Sequence, residues 1–141
     1  MTQLRAGELS IGQAFETRLV EDLKRTQIVQ YAGASGDYNP LHTDEPYATE
    51  IAGYPSVIAH GMLTMGMTGQ AIAGLFGAEN VLTFGVRFTA QVSPGDTLTM
   101  HATIDKISEQ EDGPVAELSV STRNTEGTEV VSGYAQARLA R

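Results

Sequence analysis

Cysteine is absent from the chain, which excludes disulfides, thiolate metal sites and a cysteine nucleophile. Cations are sparse: nine Lys and Arg stand against seventeen Asp and Glu, the net charge is −8, and no basic run occurs. Nucleic-acid binding needs clustered cations to neutralise phosphates, so no nucleic-acid partner is expected. The acidity is read as a solubility feature. Long apolar runs are also missing. The most apolar window, Met62 to Phe76, is too short and too glycine-rich to span a membrane. The opening residues, Met1-Thr-Gln-Leu-Arg-Ala-Gly-Glu8, have neither the apolar stretch of a signal peptide nor transit-peptide character. The expectation is a cytoplasmic protein without membrane association.

Several chemical motifs fail in the same way. Ser35 lies in Gly33-Ala-Ser35-Gly36, which is not a G-x-S-x-G elbow. No Gly-rich phosphate loop follows a strand, and Ser56 near His60 belongs to no motif. A metal site drawn from His42, Asp44, Glu45 and His60 lacks an H-x-x-x-H or similar spacing, so metal: none is the expectation. No internal repeat or linker appears, and residues 1–141 read as one domain. At 141 residues and 41% apolar content the chain can build a core.

What is present begins with a polar lead-in over 1–12, closed by Gly12. Ala14 to Val20 alternates loosely and predicts a strand. Glu21 and Asp22 open a predicted helix through Leu23, Ile28, Val29, Tyr31 and Ala32, with its first-turn acids suited to the helix dipole. Gly33 to Pro40 ends it. Asp44 to Ala52 predicts a short helix with Pro46 in its first turn. Gly61 to Gly77 reads as a longer helix, apolar around most of its circumference and therefore buried on several sides. Gly66, Gly69 and Gly74 each cost about 1 kcal/mol there, a cost explained if another backbone or a ligand comes close. Four strands follow, over Val81–Val92, Thr97–Ile104, Val115–Asn124 and Glu129–Leu139. A turn at Ser93–Asp96 and a polar connection at Glu109–Pro114 separate them. The expected fold class is α+β, with a curved antiparallel sheet around one long helix.

The chemistry concentrates between Asp37 and His42. Five residues apart, they would diverge by about 140° on a helix or stand about 17 Å apart if extended. Only a turn brings them together, and Asn39-Pro40 is turn chemistry. A carboxylate and an imidazole could then converge on one water as an acid/base pair. Equally, Asp37 and Asn39 could simply cap the next segment with His42 exposed, and the residue order alone does not decide. Gly61, at a helix start, offers an unpaired backbone N–H to an approaching carbonyl oxygen, or merely fits a tight turn. His60 is read as a packing residue and His101 as solvent-facing. Met62, Met65 and Met67 suit either the core or an acyl pocket. Met62, Met65, Tyr38 and Pro40 are the candidate substrate-binding residues.

These residues carry a resemblance. Tyr31-x3-Ser35-Gly36-Asp37-x-Asn39-Pro40-Leu41-His42-x5-Ala48, followed by Ala59-His60-Gly61-Met62, resembles the hydratase motif of the MaoC-like family. Its members include (R)-specific enoyl-CoA hydratases and 3-hydroxyacyl dehydratases. The similarity continues through Val86-Arg87-Phe88 and Pro94-Gly95-Asp96-Thr97-Leu98, so it covers most of the chain. The resemblance implies the hot-dog fold and reversible hydration of trans-2-enoyl thioesters. It implies Asp37 and His42 as the catalytic pair, Asn39 as the residue orienting the loop, and the Gly61 N–H as the donor to the thioester carbonyl. It also implies no cofactor, CoA or acyl carrier protein as substrate carrier, and a homodimer or higher homo-oligomer, with a heteromer as the alternative. Two other functions were weighed. One is a non-catalytic or partner-dependent subunit of a heteromeric dehydratase, against which the intact Asp37 and His42 count. The other is a hot-dog thioesterase, against which the lack of any Asp or Glu between Gly61 and Ala78 counts.

Overall fold

The computed structural model describes residues 4–141. The first three residues of the polar lead-in lie outside the described residues. Five strands form one antiparallel sheet: β1 (Ala14–Val20), β2 (Val81–Phe88), β3 (Leu98–Gln110), β4 (Gly113–Arg123) and β5 (Glu129–Arg138). Their order is β1-β3-β4-β5-β2, which leaves β1 and β2 at the edges. Helix α1 (Arg25–Ser35) follows β1, and helix α2 (Gly61–Phe76) packs on the concave face of the sheet. This is the α+β hot-dog arrangement expected.

Strand alternation fixes which face meets α2. Leu98, Met100, Ala102 and Ile104 alternate along β3 and are all buried, as their period-two spacing requires. Met100, Ala102 and Ile104 join Ala116, Leu118 and Val120 of β4 and Ala135 and Ala137 of β5 in one cluster that receives Ile72 and Phe76 of α2. A second cluster, Leu23, Ile28, Ala59, Val92, Leu98 and Val130, lies toward the helix N-terminus and carries α1.

Several expectations need correction. Helix α1 starts at Arg25 rather than Glu21, because the preceding residues are tied elsewhere. The Leu23 N–H donates to Asp96 O at 2.9 Å, its carbonyl accepts from Gly95 N, and Asp22 sits at φ 51°. The acids therefore precede the helix, and the dipole argument does not apply. The helix also runs through Gly33 and closes at Gly36, whose φ of 74° suits glycine. The predicted helix over 44–52 contains a π-helical turn, Tyr47–Ile51. Strand β2 stops at Phe88. Beyond it Thr89 N donates to Val130 O at 3.0 Å, and Val92 O accepts from Ala59 N at 2.8 Å. The polar connection over 109–114 shrinks to a tight turn between β3 and β4.

Helix α2 is buried along one stripe, not on several sides. Thr64, Thr68, Ile72 and Phe76 face the sheet, while Met62, Gly66, Gln70 and Gly74 are exposed. Only one flank of the helix has a partner layer, so a four-residue repeat is enough. Two of those four are threonines. The Thr68 hydroxyl pairs with the Thr122 hydroxyl at 2.7 Å and donates to Thr64 O at 2.9 Å. Of the three glycines in the interior of α2, only Gly69 is closely approached: a Cβ there would stand 2.9 Å from the Phe84 ring. Nothing comes within 4 Å of a Cβ placed at Gly66 or Gly74. Among the described residues, no helix is long and apolar enough to cross a membrane.

Candidate functional site

The turn after α1 is built by side chains bonding local backbone. Asp37 Oδ1 accepts from Asn39 N at 3.2 Å, and Asn39 Oδ1 accepts from Leu41 N at 3.0 Å. Asn39 thereby caps a 3₁₀ turn, Pro40–His42, that Pro40 begins. Capping and site-building are thus one event: the reversal that Asn39 secures carries His42 back toward Asp37. Asp37 Oδ2 lies 3.9 Å from His42 Nε2, and the His42 side chain is only 11% exposed.

The second segment arrives from residues 57–61. His42 Nδ1 donates to Ile58 O at 2.6 Å, and Ile58 N donates to Leu41 O at 3.1 Å. A backbone carbonyl can only accept. Nδ1 therefore carries the hydrogen, and the Nε2 of neutral His42 presents a bare lone pair beside Asp37. His60 caps α2 and is 3% exposed. Its ring stacks on that of His42 at 3.7 Å, its Nε2 donates to Asp37 O at 3.1 Å, and Tyr31 meets it edge-on. The packing role expected of His60 is present, and the same packing places it within the site. Its Nδ1 is buried without a partner among the described residues.

Helix α2 starts directly after His60. Leu63 N and Thr64 N donate to His60 O, and the Gly61 and Met62 amides have no partner among the described residues. A cavity of about 210 Å³ opens beside Gly61, lined by Ile58, Ala59, Thr64, Phe88 and Val130. The Thr64 hydroxyl there has no hydrogen-bond partner among the described residues. Asp37, Asn39, His42 and Gly61 thus come together around His60. Pro40 serves the turn. Tyr38 is 71% exposed and Met62 54%, and Met65 is half-buried one turn further along α2. His101 sits half-buried on the sheet, 3.7 Å from Glu16.

Sequence reasoning missed two participants. The Ile58 carbonyl had no signal, since every residue carries one. Glu45 was weighed only as a metal ligand, yet it is a fastener. Its Oε2 accepts from Arg25 Nη1 at 2.6 Å and from Val57 N at 3.2 Å. The bond from Arg25, and then that from Val57, lowers the Glu45 carboxyl below its ordinary range, while the Arg25 guanidinium is raised chiefly by its bond to Glu45.

Asp37, His42 and His60 each offer a ligand atom within 4.8 Å of the others. Stacked imidazoles hold their in-plane lone pairs in nearly parallel planes, whereas a shared ion needs them to converge at about 2.0–2.1 Å. His42 Nδ1 and His60 Nε2 are also already bonded to backbone oxygens.

Residues 7–127 match the profile of the MaoC like domain. The chain belongs to this family. It is 30% identical to the (R)-specific enoyl-CoA hydratase of Aeromonas caviae over 140 residues, covering 96% of this chain and 99% of that one. It is 46% identical to 3-hydroxyacyl-thioester dehydratase Y of Mycobacterium tuberculosis over 68 residues, covering 46% of this chain and 23% of that one. The chain therefore spans about a quarter of the length of that relative. Among solved structures, an unliganded R-hydratase from Pseudomonas aeruginosa superposes with a TM-score of 0.84 at 27% identity, over 99% of this chain and 87% of that one. Within the MaoC-like family these neighbours share the hot-dog fold described above.

Proposed function

We propose that this chain is an (R)-specific enoyl-CoA hydratase that reversibly adds water to trans-2-enoyl thioesters, and that residues 1–141 act as a single MaoC-like domain. The observation carrying the reading is the 3.9 Å gap between Asp37 Oδ2 and the bare His42 Nε2. It is too long for a direct bond and fits one water about 2.8 Å from each. That water donates one hydrogen to Oδ2 and one to Nε2, leaving an oxygen lone pair for attack.

The chemistry follows from this arrangement. As the water oxygen bonds C3, His42 Nε2 takes one of its protons. The C2=C3 electron pair shifts toward the thioester oxygen, which the Gly61 amide at the head of α2 receives as an oxyanion. The enolate then collapses, and C2 takes the proton held on His42. The sum is addition of H and OH, with both side chains restored. Asp37 holds the water and faces the transient imidazolium; dehydration is the same path reversed. The names of the relatives favour CoA as the carrier, with acyl carrier protein as the other source of the same thioester. The same reading takes a dimer as the working unit. In its favour, β2 is an edge strand with Leu82 and Phe88 exposed on it. Light scattering tests the dimer.

The test of activity is loss of the conjugated enoyl absorbance when purified protein meets a panel of enoyl-CoA lengths. Asp37→Asn and His42→Ala should each lower the rate about 10²–10⁴-fold while the fold persists. Wild-type rates in both variants would sink the mechanism.

A further inference from the structure

We propose that Glu45 is a positioning residue for His42, acting through the 57–59 backbone; the inference rests on the hydratase reading above. The bare Nε2 that the chemistry needs exists because Nδ1 gives its hydrogen to Ile58 O. That carbonyl lies on an irregular segment with no strand or helix to fix it. Its direction is instead set by bonds on consecutive residues. Val57 N donates to Glu45 Oε2, Ile58 N to Leu41 O, and Ala59 N to Val92 O. Two of these three anchors are backbone oxygens. The third is a side chain and can be removed.

Glu45 is itself held in place. Arg25, the first residue of α1, holds the same Oε2 oxygen that receives Val57 N. The Glu45 carbonyl accepts from Thr49 Oγ1 at 2.9 Å, which ties the residue into the π-helical turn. Val57 is buried but the Glu45 side chain is half-exposed, so loss of the carboxylate leaves the Val57 amide with mobile water in place of a fixed acceptor. Without that anchor the 56–57 peptide can shift and displace the Ile58 carbonyl, which is then held only by Ile58 N on Leu41 O and Ala59 N on Val92 O. The His42 hydrogen can then move to Nε2, where it blocks proton acceptance. A backbone displacement of about 1 Å at such a site can cost on the order of 10²-fold in rate.

The experiment compares Glu45→Ala, Glu45→Gln and Glu45→Asp in the full chain, reading kcat and KM together with the imidazole ¹⁵N shifts of His42. Wild type should show the Nδ1–H tautomer. Glu45→Ala should lose about 10- to 100-fold in kcat with little change in KM, and its ¹⁵N shifts should move toward a tautomer mixture. Gln keeps an oxygen that can reach Val57 N and should restore the Nδ1–H signature and most of kcat. Asp keeps the charge but is shorter by about 1.5 Å and should resemble Ala. A purely ionic role toward Arg25 requires the opposite order, Asp above Gln, and that result overturns the inference. So does an unchanged His42 tautomer in a folded Glu45→Ala, whatever its rate. If Glu45→Ala does not fold, the Gln-to-Asp order decides alone. The ¹⁵N shifts are read without substrate. A wild type inactive on enoyl thioesters would therefore overturn the hydratase reading while leaving the positioning of His42 separately tested.

Discussion

Replacing Gly61 by alanine isolates the backbone amide at the head of α2 from every side chain around it. A Cβ at this position would stand 3.1 Å from Cδ1 and Cε1 of the Phe88 ring, so the ring must yield by a few tenths of an ångström. Phe88 is 52% exposed and can do so. The strain should be about 1 kcal/mol, and the helix preference for alanine over glycine, up to about 1 kcal/mol, opposes it. Stability should therefore change by no more than about 1 kcal/mol. Activity should change far more, because the new methyl occupies the approach to the amide that the proposed mechanism assigns to the thioester oxygen. Removing one such donor typically costs about 10²–10³-fold in kcat. Two measurements, a denaturation curve and initial rates of enoyl-CoA hydration, separate these effects. The double variant Gly61→Ala, Phe88→Ala removes the ring that the methyl would push. If displacement of the ring caused the loss, the double variant recovers; if obstruction of the amide caused it, the loss persists. Wild-type kcat in Gly61→Ala would refute an oxyanion role for this helix start.

Acid should loosen the site through Glu45. Its carboxyl lies below its ordinary 4.5 in the folded state, so its contribution is full above that value and is lost as pH falls through the lower folded value. Unfolding curves from about pH 6 to 3 should show wild type and Glu45→Gln converging toward acid, and parallel curves would contradict this. Phe76→Ala should destabilise by about 3–5 kcal/mol in urea, since Phe76 is buried against the sheet and meets Phe15 edge-on at 6.1 Å. A loss below about 1 kcal/mol would show that the α2 stripe is not the core seam. His60→Phe keeps a ring on His42 but gives up the bond to Asp37 O, whereas His60→Ala gives up both. Hydration rates should rank wild type, Phe, Ala, and an Ala variant equal to Phe would remove the stack from the argument.

The sheet was readable because its signal is local. Leu98 to Ile104 alternates with period two, and that pattern alone turns the right face inward. The start of α1 was not readable, because Leu23 is held by Asp96 and Gly95, more than seventy residues away. Tertiary bonds there override the helix signal of Glu21 and Asp22. The extent of α2 was legible from its composition, but which of its residues face the sheet was not. Thr68 is buried because Thr122 and a backbone carbonyl satisfy its hydroxyl, whereas the buried Thr64 hydroxyl has no partner among the described residues. In the site, Asp37, Asn39 and His42 stand out as residue types, whereas the Ile58 carbonyl has no type to stand out by.

In the mechanism proposed above, that silent partner favours one division of labour between Asp37 and His42. Both groups face the same gap and both can accept a proton there. They differ in what holds them from behind. Asp37 is half exposed, and only its Oδ1 is bonded, to the Asn39 amide, so Oδ2 can accept a hydrogen from water and stay in contact with solvent. His42 is enclosed between the His60 ring and the Ile58 carbonyl, which fixes the ring plane and assigns the hydrogen to Nδ1. Once Nε2 takes a proton, the imidazolium donates on both sides, to Ile58 O and toward Asp37, so both neighbours favour the charge it gains. A base that has a stabilising acceptor at each end after protonation can hold the proton until C2 takes it. Asp37, protonated at Oδ2, would lose its attraction for His42 at the same step. The geometry therefore favours His42 as the proton carrier and Asp37 as the group that aims the water.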